Sequence, residues 1–463
     1  MDRRETKGQA IALLGEVRIR RRVFLDALKI FAGGLRFDGR LLHNVALAAH
    51  LTSQTNGTSS TMATCKEIGE KILQGDLMSA DELAAKIAEF QRQAGGDDGD
   101  ALVRWLADAQ LLTDFQADAL SSGLVGPFLL GPYRVEGHLT AGRLGHVFRG
   151  RHVEFDLPVS LKVFPASVAA DPEKMARMTR EARVVLQLDH PNLIRTFQIG
   201  RFGQIHYLAM EDLPRESLLA RLERSGRLRH AEACRLIRQA ALGLEYLHQN
   251  EIILRDVSPA NMWITPDERL KLVEFGAARD SLAFLDAPDD GQANLTLEGT
   301  QLGTNEYMSP EQAADPRNAD ARSDLYSLGC TLYHALSGRP PFVDKNPMKL
   351  LMAHASATPQ RVDLLSPEIP HELADVVDRL LAKSPEGRMQ TAAEVDWALQ
   401  PFIGAGSVEA DTATAEWNPE YLAWVNSMNA EVFNETESET APSELAPDAA
   451  EFLDWLSERF LGK

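Results

Sequence analysis

The feature that most limits the fold of this chain is a single change of hydrophobic period. Between 133 and 209, apolar residues alternate with others over short runs, as in Val159-Ser-Leu-Lys-Val-Phe164 and His206-Tyr-Leu-Ala-Met210. A repeat of two sends successive side chains to opposite faces of a strand. Beyond Glu211 the repeat becomes helical. Ala233, Leu236, Ile237, Ala240, Leu244 and Leu247 fall on one stripe at i, i+3, i+4 spacing, and residues 324–337 and 371–382 read the same way. Strands with one helix among them, followed by helices, predict an α+β domain of two lobes. The cleft between a sheet lobe and a helical lobe is where a ligand commonly sits.

Bulk properties narrow the surroundings. The chain has 463 residues, 44% of them hydrophobic, enough for more than one packed unit. A formal net charge of -19 argues against nucleic acid as a partner. Cys65, Cys234 and Cys330 are odd in number and spaced for neither a zinc site nor a disulfide framework, which fits a reducing compartment. No apolar run approaches the roughly 18 residues of a transmembrane segment. No clean apolar core with a cleavage site follows the N-terminal arginines. A cytoplasmic location is the expectation.

Four regions follow from patterning. Residues 1–61 form a basic extension with ten Lys/Arg against five Asp/Glu. Two readings stand for it. It is a basic amphipathic helix able to touch an anionic surface, or an upstream translation from a mis-assigned start, since the well-patterned sequence begins at Met62. Residues 62–130 predict a small helical segment: Ser79-Ala-Asp-Glu82 has capping-box spacing ahead of Leu83, Ile87 and Phe90, and the glycines of 95–99 break the chain. A second helix carries Leu102, Val103, Trp105 and Leu106, and Thr113-Asp-Phe-Gln116 caps a third. Residues 133–402 hold the two-lobed domain. Residues 403–463 are an acidic tail, with linkers at 403–416 and 434–447 and two amphipathic patches, 417–433 and 452–461, expected to pack on their own domain or on a partner.

The motifs centre on residues 252–276, I-I-L-R-D-V-S-P-A-N-M-W-I-T-P-D-E-R-L-K-L-V-E-F-G. The stretch resembles the catalytic loop (H-R-D-x-K-P-x-N) and the metal loop (D-F-G) of protein kinases. Other motifs keep the same order: Leu139-Thr-Ala-Gly-Arg-Leu-Gly-His-Val147, Val159-Ser-Leu-Lys162, Arg180-Glu-Ala-Arg183, His190-Pro-Asn-Leu-Ile194 and Gly303-Thr-Asn-Glu-Tyr-Met-Ser-Pro-Glu311. Together they are similar to bacterial serine/threonine kinases of the eukaryotic, or Hanks, type. Leu111-Leu-Thr-Asp-Phe-Gln116 ahead of Leu130-Gly-Pro-Tyr133 resembles a short helical segment before some bacterial kinase domains; it is expected to pack as a cap on the lobe or to dock a protein.

The resemblance implies ATP and Mg²⁺ as ligands and a protein substrate or signalling partner. It assigns Asp256 as the base that orients a substrate hydroxyl, Lys162 to the phosphates and Glu181 to that lysine. Gly142, Gly145 and Val147 would cover the nucleotide, Glu211 and Leu213 of the hinge would hold its base, and Asn261 and Glu274 would hold metal. Arg255 would bind a phosphate on the activation segment, where Thr296 and Thr300 are candidate phosphosites and Glu298 a built-in acidic stand-in. Thr304 sits where such kinases position the substrate. Asp324 would brace the catalytic loop and Arg388 would pair with Glu311.

Five positions depart from the pattern. Leu254 stands for histidine, Ser258 for the catalytic-loop lysine, Glu274 for the metal-loop aspartate, Thr140 for the first glycine, and Ser160 for a small apolar residue. A β-branched Thr140 stiffens the loop. The Ser160 hydroxyl needs a partner. Losing the cation at 258 removes a transition-state stabiliser worth about 10²–10³ in rate. The extra methylene of Glu274 shifts a ligand by about 1 Å, worth roughly 10². The expectation is a kinase-like protein that binds ATP with weakened phosphotransfer; the alternative is an inactive pseudokinase acting as a scaffold or allosteric partner.

Overall fold

The computed structural model describes residues 63–94, 96–126, 128–142, 145–164, 179–180, 182–203, 205–214, 216–273, 305–404 and 417–435. Residues 1–62 lie outside the described residues.

Four short helices come first: α1 (Cys65–Gln74), α2 (Ala80–Ala94), α3 (Gly99–Asp108) and α4 (Asp114–Ser121). The Ser79 hydroxyl accepts from the Glu82 N–H, and Thr113 with Gln116 closes a full capping box on α4. Each satisfies helix N–H groups that lack an intrahelical partner. Sequence reading named three of these helices and passed over α1, although Thr64 and Glu67 form the same box there. Ile68, Ile72, Leu83, Phe90, Leu102, Leu106 and Leu120 bury into one small core.

The sheet lobe follows, with β1 (Leu129–Leu130), β2 (Tyr133–Gly142), β3 (Gly145–His152), β4 (Pro158–Val163), β5 (Thr196–Phe202) and β6 (Ile205–Glu211), all antiparallel in the order β1-β2-β3-β4-β6-β5. Alternation separates its two faces. Val135, Phe148, Leu161 and Ala209 pack outward around Tyr133 and Tyr207. Val147, Leu208 and Met210 pack inward and join the core of the helical lobe.

That lobe contains β7 (Glu216–Ser217), α5 (Leu218–Ser225), α6 (His230–Gln249), β8 (Met262–Ile264), β9 (Leu270–Leu272), α7 (Pro310–Ala314), α8 (Ala321–Ser337), α9 (Pro347–Ser356), α10 (Val362–Leu365), α11 (His371–Leu380) and α12 (Ala392–Leu399). All six residues of the stripe read on α6 are fully buried. Two lobes of the expected α+β kind therefore result.

Both flanking segments cover the sheet lobe. Gln116 spends its amide twice: its Oε1 accepts the Thr113 N–H at 3.0 Å and its Nε2 donates to the Val135 carbonyl at 2.8 Å. Phe115 lies 6.0 Å from the Phe148 ring. The described part of the tail is α13 (Pro419–Glu435), which packs on edge strand β5. Tyr421 is fully buried against Phe197 and its hydroxyl lies 3.2 Å from that of Tyr133, while Asn429 Nδ2 donates to the Phe197 carbonyl at 2.9 Å. A covered edge cannot recruit a stray strand. The first tail patch thus packs on its own domain; the second, 452–461, lies outside the described residues. Among the described residues, no helix is long and apolar enough to cross a membrane.

Candidate active site

The inner face of the sheet lobe is set by register. Lys162 on β4 stands opposite Val147 on β3 and Leu208 on β6, and Ser160 stands opposite Met210. Residues two apart share a face, so Ser160, Lys162 and Val147 look the same way. Lys162 is 5% exposed, deep for an ammonium, and a buried charge is retained only with partners that offset its desolvation. Gly142 pairs with Gly145 at the end of the β2–β3 ladder.

The linker between the lobes is braced by groups that sequence reading missed. Lys271 of β9 reaches across and pairs with the Glu211 carboxylate at 2.8 Å, both largely buried. The same carboxylate accepts the Arg195 N–H at 3.2 Å. Glu211 therefore uses its side chain to tie the sheet lobe to the helical lobe. The only sequence signal was a lysine at an inward position of an apolar strand. Next along, the Leu213 N–H donates to Ser160 Oγ at 2.9 Å, giving the Ser160 hydroxyl its partner.

In the helical lobe, the loop carrying Asp256 is held from below. The carboxylate of Asp324, fully buried on α8, accepts the Leu254 N–H at 2.8 Å and the Arg255 N–H at 2.7 Å, with His248 Nε2 at 2.8 Å on the same group. These bonds hold Arg255 at φ +63°, a left-handed conformation that a side chain normally avoids. Gln312 Nε2 donates to the Arg255 carbonyl at 2.9 Å. Asn261 Nδ2 donates to the Asp256 carbonyl at 2.9 Å, which leaves its Oδ1 as the oxygen able to meet a cation. The Asn261 carbonyl in turn accepts the Val273 N–H at 3.0 Å, fixing the strand end just before Glu274. Arg388 is 1% exposed and forks onto both Glu311 oxygens at 2.7 and 2.8 Å. Burial pushes the Glu311 carboxyl up, but bonds from Arg388 and Ser323 outweigh it and hold the group at about 2.

The structure thus gathers Val147, Lys162 and Leu213 on one side and Asp256 with Asn261 on the other. Glu181, Glu274, Thr296, Glu298, Thr300 and Thr304 lie outside the described residues, as do the side-chain surroundings of Gly142 and Gly145. A nucleotide fits the side chains described on this face: the buried Lys162 with apolar Val147, Met210 and Leu213. Among the described residues no three His, Cys, Asp or Glu side chains cluster as a metal cage. Mg²⁺ needs none, since it is usually held by one or two protein oxygens together with phosphates and water.

The model of the protein kinase domain matches residues 133–398. The chain belongs to the protein kinase family. Its kinase domain is 35% identical over 278 residues to the serine/threonine-protein kinase PknB of Mycobacterium leprae, covering 58% of this chain and 42% of that one. It is 37% identical over 274 residues to the serine/threonine-protein kinase pkn2 of Myxococcus xanthus, covering 58% and 32%. The match therefore spans less than half the length of either relative. The kinase domain is of the bacterial Hanks type, as its ordered motifs led one to expect.

Proposed function

We propose that this protein binds ATP and carries out weakened phosphotransfer from Mg-ATP to serine or threonine hydroxyls of a protein. The observation that carries the reading is the intact frame beneath Asp256: two backbone N–H groups on Asp324, the Arg255 carbonyl on Gln312, and the Asp256 carbonyl on Asn261.

Bound Mg-ATP supplies the transferable phosphoryl group and the divalent charge that offsets it. Lys162 holds phosphate oxygens, oriented by Glu181, while Gly142 and Gly145 bring backbone N–H groups close. Val147 and the Glu211–Leu213 backbone seat the base. Asn261 and Glu274 are the metal ligands. Asp256 orients the attacking hydroxyl and takes its proton. Ser258 brings no charge to the transferring group, so the rate falls by about 10²–10³, and Glu274 lowers it further.

The second reading is a pseudokinase that works as a scaffold or allosteric partner. The missing cation at Ser258 favours it, as do the helices that cover the sheet lobe from both ends of the domain. Phosphotransfer to a mixture of Ser/Thr-containing proteins, followed by mass spectrometry, separates the two. Transfer that vanishes in Asp256→Ala supports the kinase reading. A large gain in a Ser258→Lys, Glu274→Asp double variant shows that only these positions limit the rate. No transfer from the wild type and none from the double variant leaves the pseudokinase.

A further inference from the structure

The hydrogen bond between Ser160 and Leu213 has a consequence for how this site treats its nucleotide. Ser160 has no exposed surface, and its side chain shares the inner face of β4 with Lys162. The β4–β6 ladder ends at the pair Val159 and Glu211. Leu213, two residues past it, has no strand partner for its N–H and is 4% exposed. A buried N–H needs an acceptor, and here Ser160 Oγ provides it at 2.9 Å. With alanine at position 160, the same N–H would point into the site with nothing to accept it, ready for a ring nitrogen of a purine.

We propose that Ser160 is an internal cap on the base-binding end of the site, its hydroxyl holding the Leu213 N–H that a purine ring nitrogen must otherwise accept. This rests on the reading of the site as a nucleotide site. Binding then exchanges one hydrogen bond for another at the linker, so the base adds little net attraction there. Affinity comes mainly from the phosphate end, through Lys162. The cap also removes the penalty of an unsatisfied N–H in the empty protein, so the ligand-free state is the one stabilised. Ser160 thereby sets both the affinity for nucleotide and how strongly the base is read.

The test is calorimetric titration of the full chain and of Ser160→Ala with ATP and with tripolyphosphate, which lacks a base. The expected result is about tenfold tighter ATP binding in Ser160→Ala, about one net hydrogen bond, with tripolyphosphate unchanged. Equal ATP affinities in two forms that both bind overturn the cap and leave the nucleotide reading standing. No binding of either ligand by either form overturns the nucleotide reading, and the cap with it. Amide hydrogen exchange on the ligand-free wild type is independent of the variant's folding. The Leu213 amide is expected to be protected, and to lose protection in Ser160→Ala; rapid exchange in the wild type overturns the proposal.

Discussion

Removing the Asp324 carboxylate is the sharpest way to ask whether the loop carrying Asp256 is held as described. Asp324→Ala deletes the acceptor of two backbone N–H groups and the partner of His248. Leu254 is fully buried, so its N–H finds no water, and such a group left unmade costs about 1–3 kcal/mol. The Arg255 N–H is less deeply placed, and relaxation of Arg255 from φ +63° returns part of the loss, since a left-handed residue stores roughly 1–2 kcal/mol. The net expectation is about 2–4 kcal/mol of lost stability for Asp324→Ala. Asp324→Asn keeps one carbonyl oxygen for one of the two N–H groups and should lose about half as much. Urea denaturation at unchanged slope reads the difference as a shift in midpoint. Exchange of the Leu254 and Arg255 amides reads it locally. An Asp324→Ala variant within about 0.5 kcal/mol of wild type, with both amides still protected, would refute the reasoning.

Other expectations follow from the same contacts. Glu311 titrates at about 2 in the folded chain against an ordinary 4.5, so the stability it contributes is complete above pH 4.5 and is lost as the pH falls through about 2; Glu311→Gln should flatten that limb of a melting-temperature profile. His334 and His354 are held neutral by burial, each at about 4 against an ordinary 6.5, so acid should begin to destabilise the helical lobe already below pH 6.5, with the loss growing toward pH 4. Tyr421→Ala empties the fully buried slot where α13 meets β5 and should cost about 3–5 kcal/mol by denaturation. Cys65, Cys234 and Cys330 are free and buried, with thiols pushed up by burial, so a thiol reagent should modify them only after unfolding.

Much of the fold was legible because hydrophobic period and capping chemistry are local. The α6 stripe, the alternation on β4 and β6, and the Thr113–Gln116 box each follow from residues within a few positions of one another. What escaped was non-local. Nothing near Lys271 in sequence says that its ammonium meets Glu211, sixty positions earlier. Nothing near Gln116 says that one amide both caps α4 and grips β2. The helix α1 was different: its box at Thr64 and Glu67 was readable by the rule that found α4. At the site, the motifs gave Lys162, Asp256, Asn261 and Leu213 by order along the chain. They gave the need of the Ser160 hydroxyl for a partner, but not which group would meet it, because that depends on how the linker turns after β6.

Position 254 shows why the fold and the chemistry of such a loop can part company. In place of histidine stands leucine, fully buried in the core of the helical lobe. The bracing contact does not pass through that side chain. It passes through the Leu254 N–H, which any residue but proline supplies, and through Asp324, which is kept. Position 258 behaves alike. Its carbonyl accepts the Asn261 N–H at 3.0 Å and so shapes the turn before Asn261, whatever its side chain carries. Substitution at both places therefore leaves the backbone path of the loop intact while removing an imidazole and an ammonium. The two losses differ in kind. Leucine keeps position 254 buried and apolar, whereas the serine at 258 carries no positive charge of its own. Leu254→His buries an imidazole in an apolar core and should lower stability by about 1–3 kcal/mol with little change in phosphotransfer, while Ser258→Lys, at a position 4% exposed, should cost stability for the buried ammonium and yet raise phosphotransfer by about 10²–10³. Equal gains from both, or a gain from Leu254→His alone, would mean that the limit lies in the loop's packing and not in its charge.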